Sequence, residues 1–209
     1  MIVYGAIPRK TMSGEKRASK ALTWRKTAVY ICGILMVSQA DPRFTTFLIG
    51  CVLVLLAWFL RIWAFGHLDK NQLLVTTGPY AYVRNPAYFG SFLALLGVAL
   101  GAGNLETTRG MIVWGFSLVL AIVFLTFYMP RKMKREYPRL QKLFGEEVDR
   151  HAANVPDFWP QLRPWRSGQE RKFSWEMVLA NHELSWGPAL GLVMLGVWTA
   201  PMWFPFLRS

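Results

Sequence analysis

The residues able to do chemistry gather in two stretches. The first is Thr77-Gly78-Pro79-Tyr80-Ala81-Tyr82-Val83-Arg84-Asn85-Pro86-Ala87-Tyr88-Phe89-Gly90, where turn formers, tyrosines and a cation crowd together between two apolar runs. The second runs from Glu136 to His151 and holds Tyr137, Glu146, Glu147 and Arg150. Gly78-Pro79 punctuates the chain, and Pro79 biases Gly78 away from helical backbone. Asn85-Pro86 reads as a helix start. Asn is a favoured N-cap, and proline suits the first helical position because its missing N–H would be unpaired there anyway. A helix end of this kind presents free N–H groups and partial positive charge, which suits an anionic group. A purely structural turn that opens an apolar helix has the same signature.

Glu136 and Glu147 are eleven residues apart, so an unbroken helix sets them about 20° apart on one face. The chain has no Ser-His-Asp order, Cys nucleophile, P-loop, His-x-x-x-His or dinucleotide fingerprint, so hydrolase, kinase and metalloenzyme chemistry have little support. What remains is a helix N-terminus for a carboxylate, aromatic rings for a cation or a purine, and a carboxylate for hydroxyls or an amine. A zwitterionic sulfonium such as S-adenosylmethionine carries the matching groups. The chemistry permits that donor without requiring it. Arg84 or Arg150 suits a substrate carboxylate, and His151 suits a base near neutral pH. Arg150 and His151 equally suit a surface facing water or lipid headgroups.

The elements that position these groups follow from composition. The chain has 209 residues, 53% of them hydrophobic, and a net charge of +12. Its long uncharged runs predict an all-α, polytopic integral membrane protein with about five transmembrane helices and cytoplasmic amphipathic helices. The cations lie beside apolar runs, which favours a membrane surface over nucleic acid as their partner. Cys32 and Cys51 fall inside apolar runs without metal or redox spacing. Residues 1–26 form a basic cytoplasmic arm, with no cleaved signal peptide expected, and 27–209 form one membrane-embedded domain.

The expected spans are 27–40 (short), 44–65, 86–103, 110–129 and 186–207. Arg61, near the end of the second, suits a snorkelling side chain or one facing a pocket. His67 falls in a loop. Gly90, Ala94, Gly97 and Gly101 recur at helical spacing in the third span, as close helix packing requires. Pro130 is expected to end the fourth. The basic segment 130–172 contains amphipathic helix divided by Pro138 and Gly145, with a second amphipathic piece over 173–182, and 130–185 completes the cofactor site. Asn181, His182 and Glu183 form a polar cluster that suits interfacial caps or a contact with the substrate. The arm, the 66–85 loop and the 130–185 segment carry 20 of the 24 basic residues. The positive-inside rule then puts the N-terminus and both chemistry-bearing stretches on the cytoplasmic side.

The first stretch resembles the G-P-Y-x-x-x-R-H-P-x-Y-x-G signature of the isoprenylcysteine carboxyl methyltransferase family, which is related to membrane phospholipid methyltransferases. Glu136-Tyr137-Pro138-Arg139-Leu140, Phe144-Gly145-Glu146-Glu147 and Val155-Pro156 resemble the family's E-E-x-x-L, F-G and V-P series. The likeness covers about residues 45–160. It implies a multi-spanning, all-helical methyltransferase that uses S-adenosylmethionine at the cytoplasmic face on a lipophilic small-molecule or lipid substrate.

Carried over by position, Tyr80, Asn85, Pro86, Tyr88, Gly90, Glu136, Tyr137 and Glu147 fall to the cofactor, and Arg84, Arg150 and His151 to the acceptor. No metal is expected. Asn85 replaces the family's usual His, Tyr137 its second Glu, and Val148 and His151 its later tyrosines, which leaves the substrate end open. The acceptor classes are an isoprenylcysteine-type carboxylate, a thiol or a lipid. Two other functions stay on the table: a membrane reductase of the sterol-reductase type, and a non-catalytic scaffold. The expected location is the cytoplasmic membrane in a bacterium or the endoplasmic reticulum in a eukaryote.

Overall fold

The computed structural model describes residues 31–69, 72–169 and 171–203, so the basic arm and residues 27–30 of the first expected span lie outside the described residues. The chain divides into two compact units, Met1–Met36 and Val37–Ser209. Residues 31–38 are helical. The second unit contains α1 (Phe44–His67), a 3₁₀ turn (Gly78–Ala81), α2 (Pro86–Ala102), α3 (Thr108–Val123), a π-turn (Phe124–Tyr128), α4 (Met129–Phe144), α5 (Glu146–Asn154), α6 (Trp175–Ala180), a second 3₁₀ turn (Glu183–Ser185) and α7 (Trp186–Trp203). Among the described residues there is no strand.

The apolar helices are inside out relative to those of a water-soluble protein. Along α1 half of the inward positions are small (Gly50, Ala57, Ala64, Gly66), while Leu48, Ile49, Val52, Leu55, Leu56 and Phe59 face outward. Large apolar side chains are stable on an outer face only where the surroundings are also apolar, and small ones let backbones approach. α2 provides the complementary surface. A Cβ on Gly50 would lie 2.5 Å from the Gly97 carbonyl oxygen, and one on Gly97 would lie 2.9 Å from the Gly50 oxygen. This is the most extensive interhelical packing in the unit, and Gly90, Ala94, Gly97 and Gly101 are all buried within α2.

At the other end of these helices, Asp41 ties the turn before α1 to the loop after α2. Its Oδ2 accepts from Asn104 Nδ2 at 3.1 Å and Thr107 Oγ1 at 2.6 Å. The Thr107 oxygen in turn accepts from the Gly110 N–H at 3.1 Å and caps α3.

α1 and the continuous Thr108–Phe144 helix are long and apolar enough to cross a membrane; α2 is apolar but has only 17 residues. Length and hydropathy thus support two of the five expected spans, while α7 is an 18-residue helix with Pro201 inside it. Pro130 does not end the fourth span, contrary to expectation. The π-turn widens the backbone just before it, and the Met129 N–H bonds to the Phe124 carbonyl. A wide turn relieves the clash between a proline ring and the carbonyl four residues back. Helix therefore runs unbroken for 37 residues from Thr108 to Phe144. Pro138 sits inside α4 without dividing it, whereas Gly145, with φ of 56°, does separate α4 from α5.

Gly97→Leu is expected to lower unfolding free energy by about 3 kcal/mol or more, since the added side chain meets backbone rather than a movable side chain. Gly115→Leu, where nothing lies within 4 Å of the added Cβ, should leave thermal unfolding in detergent unchanged.

Candidate functional site

The first chemistry-bearing stretch is set by how α1 ends. His67 is the last residue of α1 rather than a loop residue. It is buried, and its Nδ1 donates to the Trp63 carbonyl at 3.0 Å. Its ring lies directly under Gly78, where a Cβ would come within 2.7 Å of Nε2 and where φ is +58°. Only glycine meets both conditions. The chain then turns through Pro79 and Tyr80, which are buried, and enters α2 at Pro86.

Hydrogen bonds fasten the first stretch and the loop before it to the segment that follows α5. The Arg84 N–H donates to Pro156 O at 2.9 Å, Gln161 N–H to Tyr82 O at 3.0 Å, and Trp165 N–H to Ala81 O at 2.9 Å. Further on, Gln169 Nε2 donates to Leu74 O at 3.0 Å, and Arg171 pairs with Asp69 at 3.2 Å. Arg84 pairs with Asp157. Residues between 156 and 171 are thereby stitched to residues between 69 and 84 at several points rather than through a regular ladder.

Between the end of α1, residues 68–88, α4 and α5 lies a cavity of about 560 Å³, lined by Tyr80, Arg84, Tyr88, Lys132, Glu136 and His151 together with apolar side chains that include Phe65, Met133 and Leu140. Its size falls in the roughly 300–1,000 Å³ range of small-molecule sites. Lys132 pairs with Glu136 one helical turn on, and its Nζ lies 5.7 Å from the centre of the Tyr88 ring. In the first turn of α2, the Tyr88 and Phe89 N–H groups both bond to the Asn85 carbonyl. Pro86 has no N–H, so Ala87, which lines the cavity, supplies the N–H free of intrahelical partners. The buried Nε of Arg84 has no hydrogen-bond partner among the described residues.

Two buried groups on this wall have altered acidities. Burial, reinforced by nearby Glu183, pushes the Tyr80 phenol far above its ordinary range, so it stays a neutral donor. Burial likewise holds His151 below the usual histidine value, although its hydrogen bond to Tyr80 opposes this. Its Nε2 donates to the Tyr80 carbonyl at 2.8 Å, and its ring stacks on Trp165.

Of the residues singled out from sequence, Tyr80, Arg84, Asn85, Pro86, Tyr88, Glu136, Tyr137 and His151 line the cavity. Gly90, Glu147 and Arg150 are not among its lining residues. Gly90 faces α1, with a Cβ position 2.8 Å from Arg61 Cγ. Glu147 and Arg150 are exposed on α5. The shared face expected for Glu136 and Glu147 is lost because Gly145 breaks the helix between them. Asn85 occupies the N-cap position without side-chain capping; its Nδ2 donates to Asp157 O at 3.0 Å instead. Tyr137 donates its hydroxyl to Asp149 on α5.

Lining residues not named from sequence as site residues include Lys132, whereas Arg61 meets the second of its two expectations, a side chain facing a pocket. Lys132 sits one helical turn before Glu136, and that i,i+4 spacing was the available signal. Arg61 is buried rather than snorkelling and pairs with Glu183, which is buried rather than an interfacial cap. No local pattern links two residues 122 positions apart.

A family model described as phospholipid methyltransferase matches residues 45–147. The chain is 32% identical over 104 residues to the Protein-S-isoprenylcysteine O-methyltransferase of Schizosaccharomyces pombe, a match covering 47% of this chain and 40% of that protein. It is 29% identical over 152 residues to the cobalt-zinc-cadmium resistance protein CzcN of Cupriavidus metallidurans, covering 68% of this chain and 64% of the relative. It is 32% identical over 121 residues to the nickel-cobalt-cadmium resistance protein NccN of Alcaligenes xylosoxydans xylosoxydans, covering 57% and 52%. The chain thus spans less than two thirds of the length of each of these relatives. No solved structure matches. Among the described residues no group of three His, Cys, Asp or Glu side chains is placed to hold a metal ion.

The depressed His151 acidity fixes the sign of a pH effect. A histidine held below its unfolded value disfavours protonation in the fold, so its contribution is complete above about pH 6.5 and is lost as pH falls toward the depressed folded-state value. Melting temperature in detergent should therefore drop across that window. His151→Gln, which keeps a donor for the Tyr80 carbonyl, should flatten the drop.

Proposed function

We propose, from the match of residues 45–147 to the phospholipid methyltransferase family model, that this chain is an S-adenosylmethionine-dependent membrane methyltransferase acting on a lipophilic, membrane-associated acceptor. The observation that carries the reading is the cavity itself. It lies largely within the matched segment and brings the first turn of α2, bearing Tyr88, opposite Lys132 and Glu136 of α4.

The residues fit the donor group by group. The Ala87 N–H at the head of α2 and the unpartnered Arg84 Nε suit a carboxylate. Glu136 suits an ammonium or ribose hydroxyls, and the Tyr88 face suits a cation or a flat base. When bound, S-adenosylmethionine supplies an activated methyl group that a nucleophile takes by direct displacement. The chain's task is then alignment and exclusion of water. Residues 155–165 are strapped to Ala81, Tyr82 and Arg84 and so brace the stretch that carries Tyr80 and Arg84 on the cavity wall. Buried Tyr80, neutral at physiological pH, adds a hydroxyl donor to the wall without adding charge.

His151 gives its Nε2 proton to the Tyr80 carbonyl, so its part is to hold that wall; only Nδ1 is left to accept a proton. Arg84, expected on the acceptor side, serves the donor's carboxylate in this proposal. Arg150 has no part in the site proposed. The cytoplasmic sidedness and the acceptor classes, an isoprenylcysteine-type carboxylate, a thiol or a lipid, belong to the same proposal.

Calorimetric titration of the detergent-solubilised chain tests it. S-adenosylmethionine and S-adenosylhomocysteine should both bind, and a nicotinamide nucleotide should not. Binding of the nicotinamide nucleotide alone would identify a reductase, and binding of none of the three a scaffold. Tyr88→Ala and Glu136→Ala should each weaken binding about tenfold or more, the scale of one lost charged or aromatic contact. Their melting temperatures should stay near that of the parent. Unchanged affinity in both variants would remove the site.

A further inference from the structure

A permanent cation stands in the wall of the cavity, and the group that neutralises it comes from far along the chain. Arg61 of α1 lines the cavity and is only 7% exposed. Its Nε and one terminal nitrogen bond to the Glu183 carboxylate at 3.0 and 2.9 Å. Its other terminal nitrogen donates to Ala87 O at 3.0 Å and Ser91 Oγ at 2.8 Å, both on α2. The Trp186 ring lies 3.9 Å from the guanidinium carbon. Glu183 follows His182, whose φ of 56° is the only left-handed backbone at a non-glycine among the described residues. Ser185 Oγ fastens that turn to His182 O at 2.8 Å. A strained turn held in this way directs the carboxylate inward. Glu183 also lies well beyond residue 147, where the family match ends.

We propose that Glu183 is a positioning residue that holds Arg61 out of the cavity and cancels its charge, so that the cavity admits a cationic methyl donor. The inference rests on the donor proposed above. A guanidinium does not lose its proton in a protein, so its charge can be offset only by a neighbouring anion. Without Glu183, Arg61 is left as an unpaired buried cation beside open space. The carboxylates on the cavity lining are Asp69 and Glu136. Asp69 is already held by Arg171, and Glu136, the group assigned to the donor, is already paired with Lys132. A released Arg61 therefore adds positive charge to the cavity and competes for Glu136. Both effects oppose a sulfonium, and they oppose a neutral thioether much less.

The test is the ratio of affinities for S-adenosylmethionine and S-adenosylhomocysteine, measured calorimetrically on the full chain in detergent. Loss of packing alone does not move that ratio, since the two ligands differ by one methyl group and one charge. Glu183→Gln should lower the ratio about tenfold, the scale of one uncompensated charge in a partly buried site. Glu183→Asp should restore much of it. Arg61→Met, which removes the guanidinium and keeps the carboxylate, should shift the ratio the other way. The double variant Arg61→Met/Glu183→Met should return it toward the parent value. If Glu183→Gln does not fold, Arg61→Met and the double variant still decide the matter. An unchanged ratio in the folded single variants, or equal losses for both ligands that the double variant does not reverse, overturns the proposal. A parent chain that binds neither ligand sinks the donor reading instead.

Discussion

The ion pair between Arg61 and Glu183 is the constraint on which the site's arrangement depends. It joins three elements that share no local sequence: the end of α1, the first turn of α2 and the turn that precedes α7. Taking two charges out of water is costly, and such a pair is stable only when both groups are fully hydrogen-bonded. Here the guanidinium meets a bidentate carboxylate, a carbonyl, a hydroxyl and an indole face. Any shift of α2 or of the final segment would leave part of that charge unmatched. The position of Ala87 and Tyr88 on the cavity wall is thus tied to a carboxylate near the far end of the chain.

α4 solves a second geometric problem. The same helix must leave an apolar environment and then bring charged side chains to the cavity. The π-turn before Pro130 lets it do so without stopping, and the helix carries on far enough for Lys132, Glu136 and Leu140 to share one face. Arg131, Lys134, Arg135 and Lys142 fall on other sides and are exposed or partly so. One element therefore presents a charged outer surface and a sorted inner one. The Lys132–Glu136 pair fits that inner face, since an i,i+4 spacing brings the two side chains together beside Tyr88.

Packing and chemistry use glycine for different reasons along the chain. Gly50 and Gly97 are needed because two helix backbones touch there. Gly78 is needed because a left-handed turn passes over the His67 ring, and Gly145 because the chain reverses between α4 and α5. The first pair sets the distance between α1 and α2, and the second pair sets where the cavity's edges lie. A change at either kind of site reaches the cavity, though by separate routes.

By itself the sequence determined whatever depends on spacing along one element: the apolar helices, the small-residue stripe on α2, the helix start at Pro86, and the two polar stretches that end on one cavity. Tyr80, Tyr88 and Glu136 were legible because turn chemistry and a recurring motif mark them locally. Only the tertiary structure decided what depends on distance across the chain or on backbone direction. Glu147 parts from Glu136 because one residue, Gly145, adopts positive φ. Pro130 is absorbed because the turn before it widens, and Asn85 forgoes capping because Asp157 O lies within reach. Arg61 and Glu183 find each other because folding brings distant charges together inside an apolar wall, where neither is stable without the other, and periodicity in sequence carries no trace of such a meeting.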